Sequence, residues 1–197
     1  MTSDAHTTPT APDTVDWSFV TDEPCGDCGF APGRRELSAP ETLRSSAVSW
    51  GAVLSGPEVR DRPDPEVWSP LEYGAHTRDV LGLFRERISL LLERDDPRFG
   101  SWDGEEVAVA SDYAAQDPAA VAAQYAQAAD RVAGLLDGLD REQLRRPGSR
   151  ADGRAFTIAQ LVDYLLHEVR HHLHDVGVKP PREGVEQAAA HRARPIR

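Results

Sequence analysis

The stretch LLHEVRHHLHDVG, residues 165–177, holds four of the chain's seven histidines, with a glutamate among them. Imidazole and carboxylate groups are the common protein ligands of divalent metals, and two of them four residues apart on a helix lie one above the other, close enough to share an ion. Pairs with that spacing include Glu168 with His172, and His167 with His171. A further histidine, His76, and a single CGDC pair, Cys25 and Cys28, complete the set of residues whose types suit metal or thiol chemistry.

Helical phase chooses between the pairs, because each residue turns the side chain by about 100° and apolar positions mark the buried arc. Ile158, Leu161, Val162, Leu165, Val169 and Val176 define that arc. His172 falls within it and Glu168 beside it, His171 sits on the flank, and His167, His174, Gln160, Asp163 and Arg170 fall on the opposite side, which reads as a solvated face. A buried Glu needs a cation or a proton, so its place beside the core asks for a partner. His76 lies on the apolar stripe of Tyr73, Val80 and Leu83, where it can be the third donor. The predicted metal ligands are therefore His76, Glu168 and His172. The alternatives are the clip His167 with His171, or Glu168 paired with an arginine such as Arg78. His171 and Tyr164 are the candidate catalytic proton donors, and Asp79 can orient the His76 ring. For Cys25 and Cys28, the cofactor-binding candidates, a structural or incidental role stands beside redox exchange and half of a zinc site completed by His76 or a partner subunit.

Four amphipathic segments must position these groups. The first opens at Ser38 with Glu41 in capping-box spacing and runs to about Ser55; the second opens at Ser69, Pro70 and Glu72 and carries its stripe through Leu91. The third runs from Asp117 and Pro118 to about Leu139, and the fourth from Thr157 and Gln160 to Gly177 and the Pro180, Pro181 pair. With no convincing strand pattern, this predicts an all-α four-helix bundle over residues 38–177. The link 95–116, between helices two and three, is long enough for a crossover or lid. An N-terminal extension, 1–37, carries the CxxC; residues 1 to about 16 and 179–197 read as loose tails. A net charge of -11 argues against nucleic acid as partner. No run approaches the roughly 18 apolar residues of a membrane span, and the first twenty residues do not resemble a secretion signal. These features predict a cytoplasmic protein that acts on a small molecule, with a homodimer left open.

With HTRDV at 76–80 and HHLHDV at 171–176, residues 38–177 resemble the DinB-like superfamily, which includes DinB/YfiT-type proteins and mycothiol-dependent isomerases and transferases. Its motif takes one histidine from the second helix and two, four apart, from the last, the later one followed after two residues by Gln and an aliphatic residue. Matched to that pattern, Asp175 stands in the Gln place, His172 is the later ligand, and Glu168 replaces the earlier histidine; if Glu168 does not ligate, either the site is degenerate or His171 or a cysteine is the substitute. The resemblance implies a divalent metal, with zinc first and nickel, iron or manganese also compatible. It further implies a metal-dependent transferase or isomerase using a low-molecular-weight thiol of the mycothiol type. A non-catalytic metal-stabilised stress or binding protein and a ferrous oxygen-using enzyme are the alternatives.

Overall fold

The structure, a computed structural model, describes residues 15–33 and 38–178. Most of both tails and the basic run RREL at 34–37, which reads as solvated surface, lie outside the described residues. The long helices are α1 (Ala39–Leu54), α2 (Pro70–Glu93), α4 (Pro118–Asp137) and α5 (Ile158–Asp175), with a short α3 (Gly104–Ala110) in the link. Their starts follow local chemistry. Ser69 and Glu72 close a reciprocal capping box on α2, as Thr157 and Gln160 do on α5, and Asp117 caps α4 by accepting from the Ala119 N–H. Ser38 is the exception, since its side chain makes no cap on α1.

Around the bundle the order is α1, α4, α2, α5, so that α1 and α2, consecutive in sequence, meet only marginally. Leu43, Trp50, Leu81, Ile88, Tyr125, Leu161 and Leu165 fill the interior, and the Tyr125 hydroxyl is paired with Ser46 Oγ at 2.9 Å. The link after α2 joins helices that do pack side by side. Its length goes instead into α3 and a turn at Tyr113–Ala115, which lay Trp102, Gly104 and Tyr113 over one end of α2.

Strands are present where none were expected. β1 (Arg98–Phe99) pairs in parallel with β2 (Pro147–Arg150), which pairs antiparallel with β3 (Ala155–Thr157). They are too short to show a period, and Gly148 admits the Leu91 side chain so closely that a Cβ there would sit 2.6 Å from it.

Residues 15–33, within the N-terminal extension, pack along α5. Arg150 pairs with Asp16, and Arg154 donates to the Ser18 carbonyl and to Asp22. The Gly33 N–H donates to Asp163 (2.8 Å), and Arg170 donates to the Cys28 carbonyl (2.9 Å). This corrects the expectation of a solvated face. His167 and Asp163 are buried because a segment remote in sequence covers them, and helix phase alone carries no information about such a cover.

Candidate metal centre

α2 and α5 pack against each other and bring His76, Glu168 and His172 together, with one donor atom from each within 4.8 Å of the others. Glu168 Oε2 stands 3.3 Å from His172 Nε2 and 3.9 Å from His76 Nε2. Three aromatic rings wall the group: His76 lies between Trp68 and Trp102, with ring centroids 5.0 and 5.3 Å away, and His172 lies against Tyr73 at 5.2 Å. The backbone of Gly104 closes over His76, and a Cβ there would come within 2.8 Å of the ring, so the position admits no side chain unless the His76 ring moves.

The three groups set one another's charge. Burial works against the Glu168 carboxylate, but His172 and His76 outweigh it and hold the group well below the usual carboxylate range. Burial also works against a charged His172, yet Asp175 and Glu168 prevail and raise it to about 9. His76 goes the other way: burial lowers it, against the pull of Glu168, so it stays a neutral imidazole with a lone pair to offer. These donors fit a divalent ion: a buried ionised carboxylate and two imidazoles facing one point, with Arg78, the alternative partner, turned instead to Asp79, Gln116 and Gln124.

Metal-binding histidines usually present their remote nitrogen to an outer acceptor, which fixes tautomer and ring orientation. His172 has such an acceptor in Asp175, 3.0 Å from Nδ1, which leaves Nε2 facing Glu168. Sequence reasoning aligned Asp175 with a family position but gave it no task; its i+3 spacing from His172 was the available signal. Asp175→Ala is expected to weaken metal binding about 10- to 100-fold without change in helix content, measured by competition with a chromophoric chelator. The remote nitrogen of His76 has no such partner among the described residues. Asp79 does not orient it, because that carboxylate accepts from the Tyr113 hydroxyl (2.6 Å) and from Arg78 (2.8 Å). Packing against the two tryptophans holds the ring instead.

The other predicted residues fall into two places. Tyr164, one turn before Glu168, packs on Phe84 and Phe156, and burial together with the Glu168 charge raises its hydroxyl so that it keeps its proton. His171 does not join His76; its Nδ1 faces Cys25 Sγ at 3.6 Å. Cys25, Cys28, His167 and His171 form a second group whose donor atoms also lie within 4.8 Å of one another. The sequence showed both halves of this group, CxxC and the His167, His171 spacing, but not that they meet.

The profile of the DinB superfamily matches residues 41–176. No curated protein matches the chain. Among solved structures, YfiT from Bacillus subtilis, described as a probable metal-dependent hydrolase with an unusual four-helix bundle topology, is similar in fold, with a TM-score of 0.66 and 17% identity over 83% of this chain and 96% of that one. No helix among the described residues is long and apolar enough to cross a membrane. With its family profile spanning all four long helices, the chain belongs to the DinB superfamily.

Proposed function

We propose that the chain is a metal-dependent group-transfer enzyme in which His76, Glu168 and His172 hold a divalent ion, zinc first, and a low-molecular-weight thiol is the nucleophile. The observation that carries this is the donor count: three protein donors converge from two helices, and among the described residues the group has no fourth. Three-donor sites are characteristic of catalytic ions, whereas structural zinc takes four. When bound, such an ion lowers the pKa of a water or thiol in its open position and so yields a nucleophile near neutral pH.

The chain's own residues do the rest. Glu168 contributes one negative charge against two positive, which leaves the centre net positive and favours an anionic nucleophile. Trp68, Trp102 and Tyr73 restrict water around the imidazoles and offer apolar surface to an organic electrophile. Tyr164, one turn before Glu168, retains its proton and is the candidate donor to a leaving group or enolate. Buried Arg87, stacked over Phe99 and Phe84 and donating to the Gly100 carbonyl, is a positive group that feels both Tyr164 and Glu168, which suits a substrate with a carboxylate. The thiol comes from the family resemblance; likeness in fold to a protein described as a probable hydrolase favours water as the second reading.

The test is an assay of zinc-loaded chain with mycothiol or glutathione and an activated electrophile, beside hydrolysis of a nitrophenyl ester without thiol. Thiol conjugation that saturates in thiol and is lost in His172→Ala supports the first reading. Ester hydrolysis indifferent to thiol but lost in the same variant replaces it with the second.

A further inference from the structure

We propose that Cys25, Cys28, His167 and His171 form a second metal site, a closed zinc site that staples the N-terminal segment to α5. It is separate from the centre of His76, Glu168 and His172 and does not depend on that centre being catalytic.

His167 is 1% exposed, and neither of its ring nitrogens has a hydrogen-bond partner among the described residues. Buried polar groups are almost always satisfied, and one that is not asks for a missing partner. The atoms nearest to filling that role are metal donors. Cys25 and Cys28, 2% and 5% exposed and both free thiols, face the same point as His167 and His171. With Zn–S near about 2.3 Å and Zn–N near about 2.0 Å, a tetrahedral sulfur-to-nitrogen edge is about 3.5 Å. The Cys25 Sγ to His171 Nδ1 separation is 3.6 Å, so that edge is already in place. Two thiolates with two imidazoles are a structural zinc set, and soft sulfur selects against magnesium, calcium and manganese.

The surroundings are built to hold this arrangement. Residues 25–30 form a tight turn in which the Gly29 N–H donates to the Cys25 carbonyl and the Cys25 N–H donates to the Phe30 carbonyl. Gly29 adopts φ +68°, which a side chain at that position would resist. The turn brings both sulfurs to the α5 side, where Arg170 anchors the Cys28 carbonyl. Trp17 stacks on His167 and meets His171 edge-on, while Phe30 abuts His167 from another direction, so the four donors are enclosed. On the far side of His171, Nε2 lies 3.7 Å from Asp175, the carboxylate that also orients His172.

On zinc entry the two thiols give up their protons to solvent while both imidazoles bind as neutral donors, so no oxidant or reductant is involved. The test uses full-length chain expressed without a histidine tag in zinc-supplemented medium. Elemental analysis is expected to give two zinc ions per chain, falling to one in Cys25→Ser/Cys28→Ser. Cobalt reconstitution should produce a thiolate-to-cobalt charge-transfer band in the parent and in His172→Ala, and none in the double cysteine variant. If that variant fails to fold, the parent decides: both cysteines should resist alkylation until a chelator is added. A cobalt spectrum without thiolate bands, zinc content unchanged by removing both cysteines, or equal alkylation with and without chelator would overturn the proposal. Loss of one ion in His172→Ala with the thiolate band intact separates this site from the other. If His172→Ala keeps both ions, the functional reading fails and this one stands.

Discussion

Glu168→Gln is expected to strip the centre on α2 and α5 of its ion under conditions where the parent chain is fully loaded. Glutamine preserves the shape but replaces a charged donor by a neutral, weakly basic one, leaving two imidazoles to hold a divalent cation. Removal of an outer partner in such sites costs about 10- to 100-fold in affinity; removal of a donor that is itself the sole negative charge facing both histidines must exceed that. Titration against a chelator of known affinity measures it, with His174→Ala, on an exposed side chain of the same helix, as the control expected to change nothing. Parent-like affinity in Glu168→Gln would show that the carboxylate is not a ligand. On the proposed function activity should fall in parallel, because the ion would supply the nucleophile.

Affinity at the same centre should also depend steeply on pH. His172, raised to about 9 by Asp175 and Glu168, carries a proton at neutral pH that an incoming ion must displace. Below about 9, apparent affinity therefore falls about tenfold per pH unit, or about 100-fold from pH 8 to pH 6, with about one proton released per ion bound. Metal-buffered titrations across that range check it, and a flat profile would rule it out. Metal-free protein follows a different curve. The raised His172 stabilises the fold fully below its ordinary 6.5, and that contribution is lost as pH rises through about 9. His167, which burial lowers to about 4, acts on the other side: unfolding lets it take up a proton, so stability is lost as pH falls from 6.5 towards 4. Chelated protein should melt at its highest temperature near pH 6.5, whereas zinc-loaded protein should keep gaining stability above it.

How far these features could be read in advance depends on where the information lies. The long helices announce themselves locally: apolar stripes give their faces, and the Ser69–Glu72 and Thr157–Gln160 pairs give two of the starts. Phase on a single helix also sufficed to single out Glu168 and His172, because their neighbours Leu165 and Val169 point into the same core. It failed for His167 and Asp163, whose cover comes from Trp17, Phe30 and the Gly33 backbone more than a hundred residues earlier. A helix's own pattern records the apolar partners it expects, not polar side chains buried under a strap. Asp79 failed for a related reason: an i+3 neighbour of His76 was available, but Tyr113, from the link, claimed it. The strands, two to four residues each, offer too little alternation to register.

The two donor sets on α5 are offset by a single residue, 167 and 171 against 168 and 172, which on one helix is an angular step of about 100°. Both are therefore carried by the same rigid rod. Any twist of that rod about its long axis re-aims all four side chains together, and none can be adjusted independently of the rest. The strap gripping one flank through Asp163 and Arg170 is thus expected to act as a torsional brake for the adjoining flank. Slack introduced at the strap should reach His172 as misalignment, although no strap residue in that grip touches it.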